Sequence, residues 1–306
     1  MLGLSNFSFE QIWSPITLLV YIIIAAAYLL ITGPYRTAFA HTEPLGWRRK
    51  ALFLIGLFLF YLAQSGPLEV LAHLMFSAHM IAMTVSYIIA PPLLILGTPA
   101  WIWRRFLSWR IMRPFRRLAH PIFTIGLFNG LFSLYHLPAI LDYVMVNYTV
   151  HTALYAVLFI SSLAMWWPIV CPVPEYNRLS ELRKMAYIFV AGFLLTPACA
   201  LIIFAPTSLY ETYTNPAVWS IALAYCIPGD PAAFLEAFQG PSFFTSMTPV
   251  DHQQIGGISM KLIQEILYIS ILGWVFMHWF RREKQHDQKQ DDEAVIMEWR
   301  KRMNQV

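Results

Sequence analysis

Apolar residues in this chain gather into long runs separated by short polar stretches. Six of them, 15–33, 69–96, 120–138, 149–168, 185–205 and 256–280, reach the ~20 mainly apolar residues needed to cross the hydrocarbon core of a bilayer. A seventh, 48–66, is less apolar and crosses if Arg48, Arg49 and Lys50 extend their charged tips to the interface. The pattern predicts an all-α integral membrane protein, a bundle of seven transmembrane helices. Pro91-Pro92 is expected to end the third span, since the rings remove donors and restrain the preceding residue. The stretch 217–227 is too short to span and reads as an interfacial or re-entrant part of a long connection, 206–255. That connection holds six prolines and the acids Glu211, Asp230, Glu236 and Asp251, and its length suggests a cap over one face. The first run lacks a basic leader and a small-residue cleavage site, so it is expected to be a span. Residues 281–306 read as a charged, solvated or fraying helical tail.

Charge orients the bundle. Lys and Arg number four in 34–50, six in 97–119, three in 171–184 and seven from Arg281 onward, twenty of the twenty-one in the chain. The alternate segments 1–14, 67–70, 139–148 and 206–255 hold none. Positive charge marks the cytoplasmic side, which places the N-terminus outside, the C-terminus inside and the 206–255 cap outside. The remaining cation, Lys261, falls inside the last span four residues before Glu265, so the two share a helix face and are expected to pair within the bundle.

Composition agrees. Apolar residues make up 58% and charged residues 12% of the chain, against about 25% charged in ordinary globular proteins. That excludes a soluble domain, and basic residues confined to loops argue against nucleic-acid binding. Cys171, Cys199 and Cys226 form no CxxC pair, and whether Cys199 and Cys226 bond to each other is left open. There is no GxGxxG, Walker loop, HExxH or GxSxG motif, and no enzyme activity is expected.

The topology also sorts the nine histidines. His41, His120, His278 and His286 fall on the cytoplasmic side, whereas His73, His79, His136, His151 and His252 all fall in the outer half. At 100° per residue, His73, Phe76, His79, Met80, Met83 and Tyr87 share one sector of the third span. Polar groups in a span usually face the bundle interior, and imidazole with thioether suits copper, Cu(I) above all. The alternative is a structural polar network with gap-filling methionines. His136 and His151 lie at facing ends of the fourth and fifth spans and are expected to approach each other, unless both are solvated by headgroups. His252 sits in Asp251-His252-Gln253-Gln254-Ile255-Gly256-Gly257, where a loop cap competes with metal binding.

Ser65-Gly66-Pro67-Leu68, His73, His79-Met80, Pro91-Pro92-Leu93-Leu94, Gly97 and Pro99 together resemble the multi-span CtaG-type cytochrome c oxidase assembly factors of Gram-positive bacteria. His151, Trp166-Trp167-Pro168 and the Asp251 segment with Gly256-Gly257 and Met260 extend the likeness over nearly the whole chain. The resemblance implies a helper for assembling a caa-type terminal oxidase, acting on its binuclear copper site in a bacterial plasma membrane. Its partners would be the oxidase catalytic subunit and a separate copper carrier. The family's Asp-Gln pairing is interrupted here by His252, so either Gln253 takes that role one residue later or His252 is a local variation. Copper ligands are expected among His73, His79, Met80, Met83, His136, His151 and His252, with no more than four on one ion. Two other readings remain, a haem-binding or quinone-reacting subunit with axial histidines and a transporter lined by Lys261 and Glu265.

Overall fold

A computed structural model describes residues 3–39, 43–112, 120–227 and 229–303. Arg113, Arg116, Arg117 and His41 lie outside the described residues, as do Pro228 and the last three positions. Among the described residues every regular element is helical. A short helix α1 (Phe9–Trp13) starts on a capping box in which Ser8 and Gln11 satisfy each other's amides. Then come α2 (Pro15–Thr32), α3 (Trp47–Gln64), the two-turn α4 (Pro67–Leu74), α5 (Phe76–Gly97) and the amphipathic α6 (Ala100–Ser108). The second half holds α7 (Pro121–Tyr135), α8 (Pro138–Met145), α9 (Tyr148–Val170), α10 (Glu181–Phe204), α11 (Pro216–Cys226), α12 (Pro231–Phe238) and the long α13 (Pro249–Met303).

Six of these units are long and apolar enough to cross a membrane: α2, α3 with α4, α5, α9, α10 and α13. The bent pairs α7–α8, at 79°, and α11–α12, at 119°, raise the number to as many as eight. The protein is therefore a multi-helix membrane protein, and several boundaries differ from those the hydropathy pattern suggests. The expected third span, 69–96, is two helices. Met75 is extended (φ −149°, ψ 136°), so His73 and His79 do not share one helical wheel. The expected loop 139–148 is mostly the helix α8, and α13 begins seven residues before the run at 256. Its early start has a local cause: Thr248 and Asp251 cap each other across the first turn, with the Thr248 hydroxyl donating to the Asp251 carboxylate at 2.7 Å.

Pro91-Pro92 does not end its helix. Prolines at 91 and 92 leave the carbonyls four residues earlier, at Tyr87 and Ile88, without their helical donors. The backbone widens into a single π turn, Val85–Ile89, and α5 continues to Gly97. Ser162 Oγ at 2.5 Å and Trp166 Nε1 at 3.4 Å, both from α9, donate to the freed Tyr87 carbonyl. A break that would be costly in hydrocarbon is thereby repaired from a neighbouring helix.

Small residues set the close packing. A Cβ on Gly97 would lie 2.4 Å from the Phe53 amide nitrogen of α3, and one on Gly256 would lie 2.9 Å from Met80 Cγ. Two apolar cores result. The larger holds α5, α7, α9, α10 and α13 together, with Phe128, Phe132, Trp166 and Leu195 fully buried. The smaller joins Phe7, Val70 and Leu74 to Trp219, Leu223, Phe234 and Phe244, and so seats the 205–248 connection on α4. That connection covers one end of the bundle, called here the capped end.

Candidate metal centre

The break at Met75 shapes this end. With the chain extended there, the carbonyls of Ala72 and His73 lose the amides that a continuous helix would supply. The cap supplies replacements: Tyr213 Oη donates to Ala72 O at 2.7 Å, and Trp219 Nε1 to His73 O at 3.1 Å. Tyr210 Oη does the same for His136 O, at 2.9 Å, where α7 stops. Asp142 of α8 holds the cap in register by accepting from the Glu211 and Thr212 amides and the Thr212 hydroxyl. Three carbonyls at two helix ends are thus pinned by residues far away in sequence.

Four imidazoles converge beneath those pins. His73 of α4 lies beside His151 of α9, with ring centroids 6.0 Å apart. His79 of α5 lies beside His136 at the end of α7, at 6.2 Å. Two tyrosines bridge the pairs: Tyr155 stacks on His151 at 3.9 Å, shares a hydrogen bond of 3.1 Å with the Tyr135 hydroxyl, and Tyr135 reaches His79 Nε2 at 3.4 Å. The Tyr135 hydroxyl also lies 3.8 Å from the Met145 thioether. His73, His79 and His136 are almost wholly buried. The ring contacts of His136 and His151 run to His79 and His73, both from the 69–96 region.

Hydrogen bonds decide which nitrogens are available. Nδ1 of His73 is held by the Glu69 carbonyl at 3.0 Å and Nδ1 of His136 by the Phe132 carbonyl at 2.7 Å. The Nε2 atoms of His136 and His151 are buried with no hydrogen-bond partner. A buried imidazole nitrogen without a partner costs free energy, and one whose other nitrogen is fixed by a carbonyl is oriented as metal ligands usually are.

The remaining expected ligands lie differently. Met80 packs against Gly256 and Met83 is fully buried in the main core. His252 opens α13, and both of its ring nitrogens are engaged at 2.8 Å, Nδ1 with the Ser77 hydroxyl and Nε2 with the Thr245 hydroxyl. Gln253 accepts from the Leu209 amide and donates to the Ile202 carbonyl, which ties the cap to α10. Cys199 and Cys226 are both free thiols, one in the main core and one in the smaller. Lys261 and Glu265 do pair, at 2.6 Å, with Lys261 also donating to Gly192 O and Thr196 Oγ1. Their side chains are 23% and 43% exposed, so the pair sits on the flank of the bundle and not in its interior, because Thr196 and Gly192 draw the ammonium along the α10 groove.

A family profile described as cytochrome c oxidase caa3 assembly factor (Caa3_CtaG) matches residues 26–282. The chain belongs to that family. No curated relative and no solved structure matches it. The matched segment contains every residue of the histidine–tyrosine cluster, so the family assignment and the buried site concern the same part of this caa3 assembly factor.

Several residues of the cluster escaped the sequence reading. Tyr155 stands four residues after His151 and Glu69 four before His73, spacings that put each pair on one helical face; Tyr135 adjoins His136. Those signals were in the sequence. Met145 had none, because only the α7–α8 bend brings it near. The donor set of the assembly factor fits a soft or borderline transition metal: imidazoles, phenols and a thioether, with two nitrogens otherwise unused. With metal–nitrogen bonds of about 2 Å, two imidazoles on one ion have centroids roughly 5–6 Å apart; His73 and His151, at 6.0 Å, lie at the upper end of that span and His79 and His136, at 6.2 Å, just beyond it.

Proposed function

We propose that this caa3 assembly factor takes up copper at its capped end and releases it to the oxidase catalytic subunit, as a carrier and not as an enzyme. The carrying observation is the pair of buried, unpartnered nitrogens, His136 Nε2 and His151 Nε2, each on a ring beside another histidine. Copper is the cargo, and the protein's part is to present preset imidazoles while the cap excludes bulk water. A resident haem would use the same histidines but absorbs visible light; the purified protein should show no Soret band.

The test is Cu(I) bound per folded molecule in mild detergent. His136→Ala with His151→Ala should lower that ratio at least severalfold, while His120→Ala, exposed at the other end, leaves it unchanged. An unchanged ratio in the double variant would sink the proposal.

The same reading orients seven spans in a bacterial plasma membrane, N-terminus outside and C-terminus cytoplasmic, with α11–α12 re-entrant in the cap. It rests on the one-sided count of Lys and Arg. Reporter fusions after residue 178 should read cytoplasm and after residue 230 the outside; the reverse result overturns the orientation and with it the outer-face site.

A further inference from the structure

Beside the four imidazoles lies a second group of metal-ligating side chains. Glu69 and His73 stand one turn apart on α4, and Cys226 closes α11 across from them. A carboxylate oxygen, an imidazole nitrogen and the thiol sulfur all lie within 4.8 Å of one another. These three residues come from elements 150 positions apart in the chain, and only the seating of the cap on α4 brings them together. That seating is firm on both sides: Trp219, two turns before Cys226 on the same helix, is fully buried and donates to the carbonyl of His73 itself.

Among the described residues no salt bridge reaches Glu69, and Cys226 is a free thiol. Glu69 is half-buried next to the buried Val70, and a carboxylate drawn out of water without a counter-charge is normally paired or coordinates a cation. His73 is preset for coordination, since its Nδ1 is fixed by the Glu69 carbonyl at 3.0 Å and Nε2 is left as the free nitrogen. We infer that Glu69, His73 and Cys226 form a three-ligand site for one thiophilic transition-metal ion. Thiolate with imidazole selects Cu(I) or Zn²⁺ over hard cations, and three protein ligands leave a position open for exchange. Binding exchanges the thiol proton for the metal, so that Cys–SH and Cu(I) give Cys–S–Cu and a released proton, with no change of oxidation state.

His73 belongs to both groups, with His151 on its other side at 6.0 Å. The site is therefore placed as an entry station, from which an ion can pass to the imidazoles about one shared ligand. The identity of the cargo rests on the copper reading above; the existence of the three-ligand site does not.

The decisive measurement uses the wild-type full chain in mild detergent, with Cu(I) supplied as a chromophoric chelate and alkylation of each cysteine read by peptide mass spectrometry. One equivalent of Cu(I) should slow Cys226 alkylation at least tenfold and leave Cys171 unaffected. In parallel, Cys226→Ser and Glu69→Gln should each weaken the tightest Cu(I) equivalent at least tenfold, while Cys199→Ser does not. If neither Cu(I) nor Zn²⁺ slows Cys226 alkylation, the site is refuted, whatever the variants do. Protection of Cys226 that persists in the His136→Ala, His151→Ala protein supports the site even where the four-imidazole reading fails. Protection by Zn²⁺ and not by Cu(I) keeps the site and overturns the cargo.

Discussion

Helix α2 is more apolar than α5, yet only 11% of it is buried inside the protein against 67% of α5. Ile16, Leu19, Ile22, Ile23 and Leu30 of α2 face outward, while α5 buries His79, Thr84, Ser86 and Tyr87. In water this order would be reversed. In lipid no free energy is gained by hiding Ile or Leu from an apolar solvent, whereas hydroxyls, imidazoles and freed carbonyls must find partners inside the protein. The helix with the buried polar groups is the one with the weaker membrane signal. Its polar groups are its reason for being central.

Three substitutions break or sharpen that contrast. The largest effect is expected at Gly97, where a Cβ would meet the Phe53 backbone nitrogen at 2.4 Å with Phe53 Cβ at 2.6 Å, groups that cannot swing aside. Gly97→Ala should cost about 1–3 kcal/mol by overpacking, seen as a lower thermal midpoint in detergent. Gly273→Ala, with open space around it, should match wild type; equal losses at both would show that α3 and α5 are not in close contact. A smaller loss is expected for Ser162→Ala, which removes the nearer donor to the Tyr87 carbonyl and leaves Trp166 Nε1 at 3.4 Å. Polar contacts within membrane bundles average about 0.6 kcal/mol, and a well-ordered one to an otherwise stranded carbonyl reaches roughly 1–3 kcal/mol. Adding Trp166→Phe should deepen the loss, and additive neutrality would mean that the π turn needs no repair. The least effect belongs to Ile23→Val on α2, which only exchanges one lipid-facing apolar group for another.

The apolar runs announced most of the spans because runs of that length have few other uses. They misplaced the boundaries at Pro91-Pro92 and Met75, where distant side chains supply the hydrogen bonds. Pro91-Pro92 reads as a stop, and is one in isolation; Ser162 and Trp166 turn it into a π turn. Nothing local marks Met75 as a break, since neither glycine nor proline stands there. The break persists because Tyr213 and Trp219 donate hydrogen bonds to the orphaned carbonyls of Ala72 and His73. The histidines show the same division. Their gathering at one end followed from counting residues along the spans, but the pairing of His73 with His151 and His79 with His136 did not. A wheel drawn over 69–96 assumes one unbroken helix, and this one is broken between its two histidines.

By itself the sequence determined the solvent, the helical class, the family and the residue types at the capped end, because each depends on composition or on spacing along one strand of chain. Which nitrogens stand free, and that Cys226 comes to rest beside Glu69 and His73, were decided only in the tertiary structure. The physical reason is that these facts depend on how helix ends are satisfied. In a medium without water, a carbonyl stranded at residue 73 must take its donor from wherever the fold can bring one, here from Trp219.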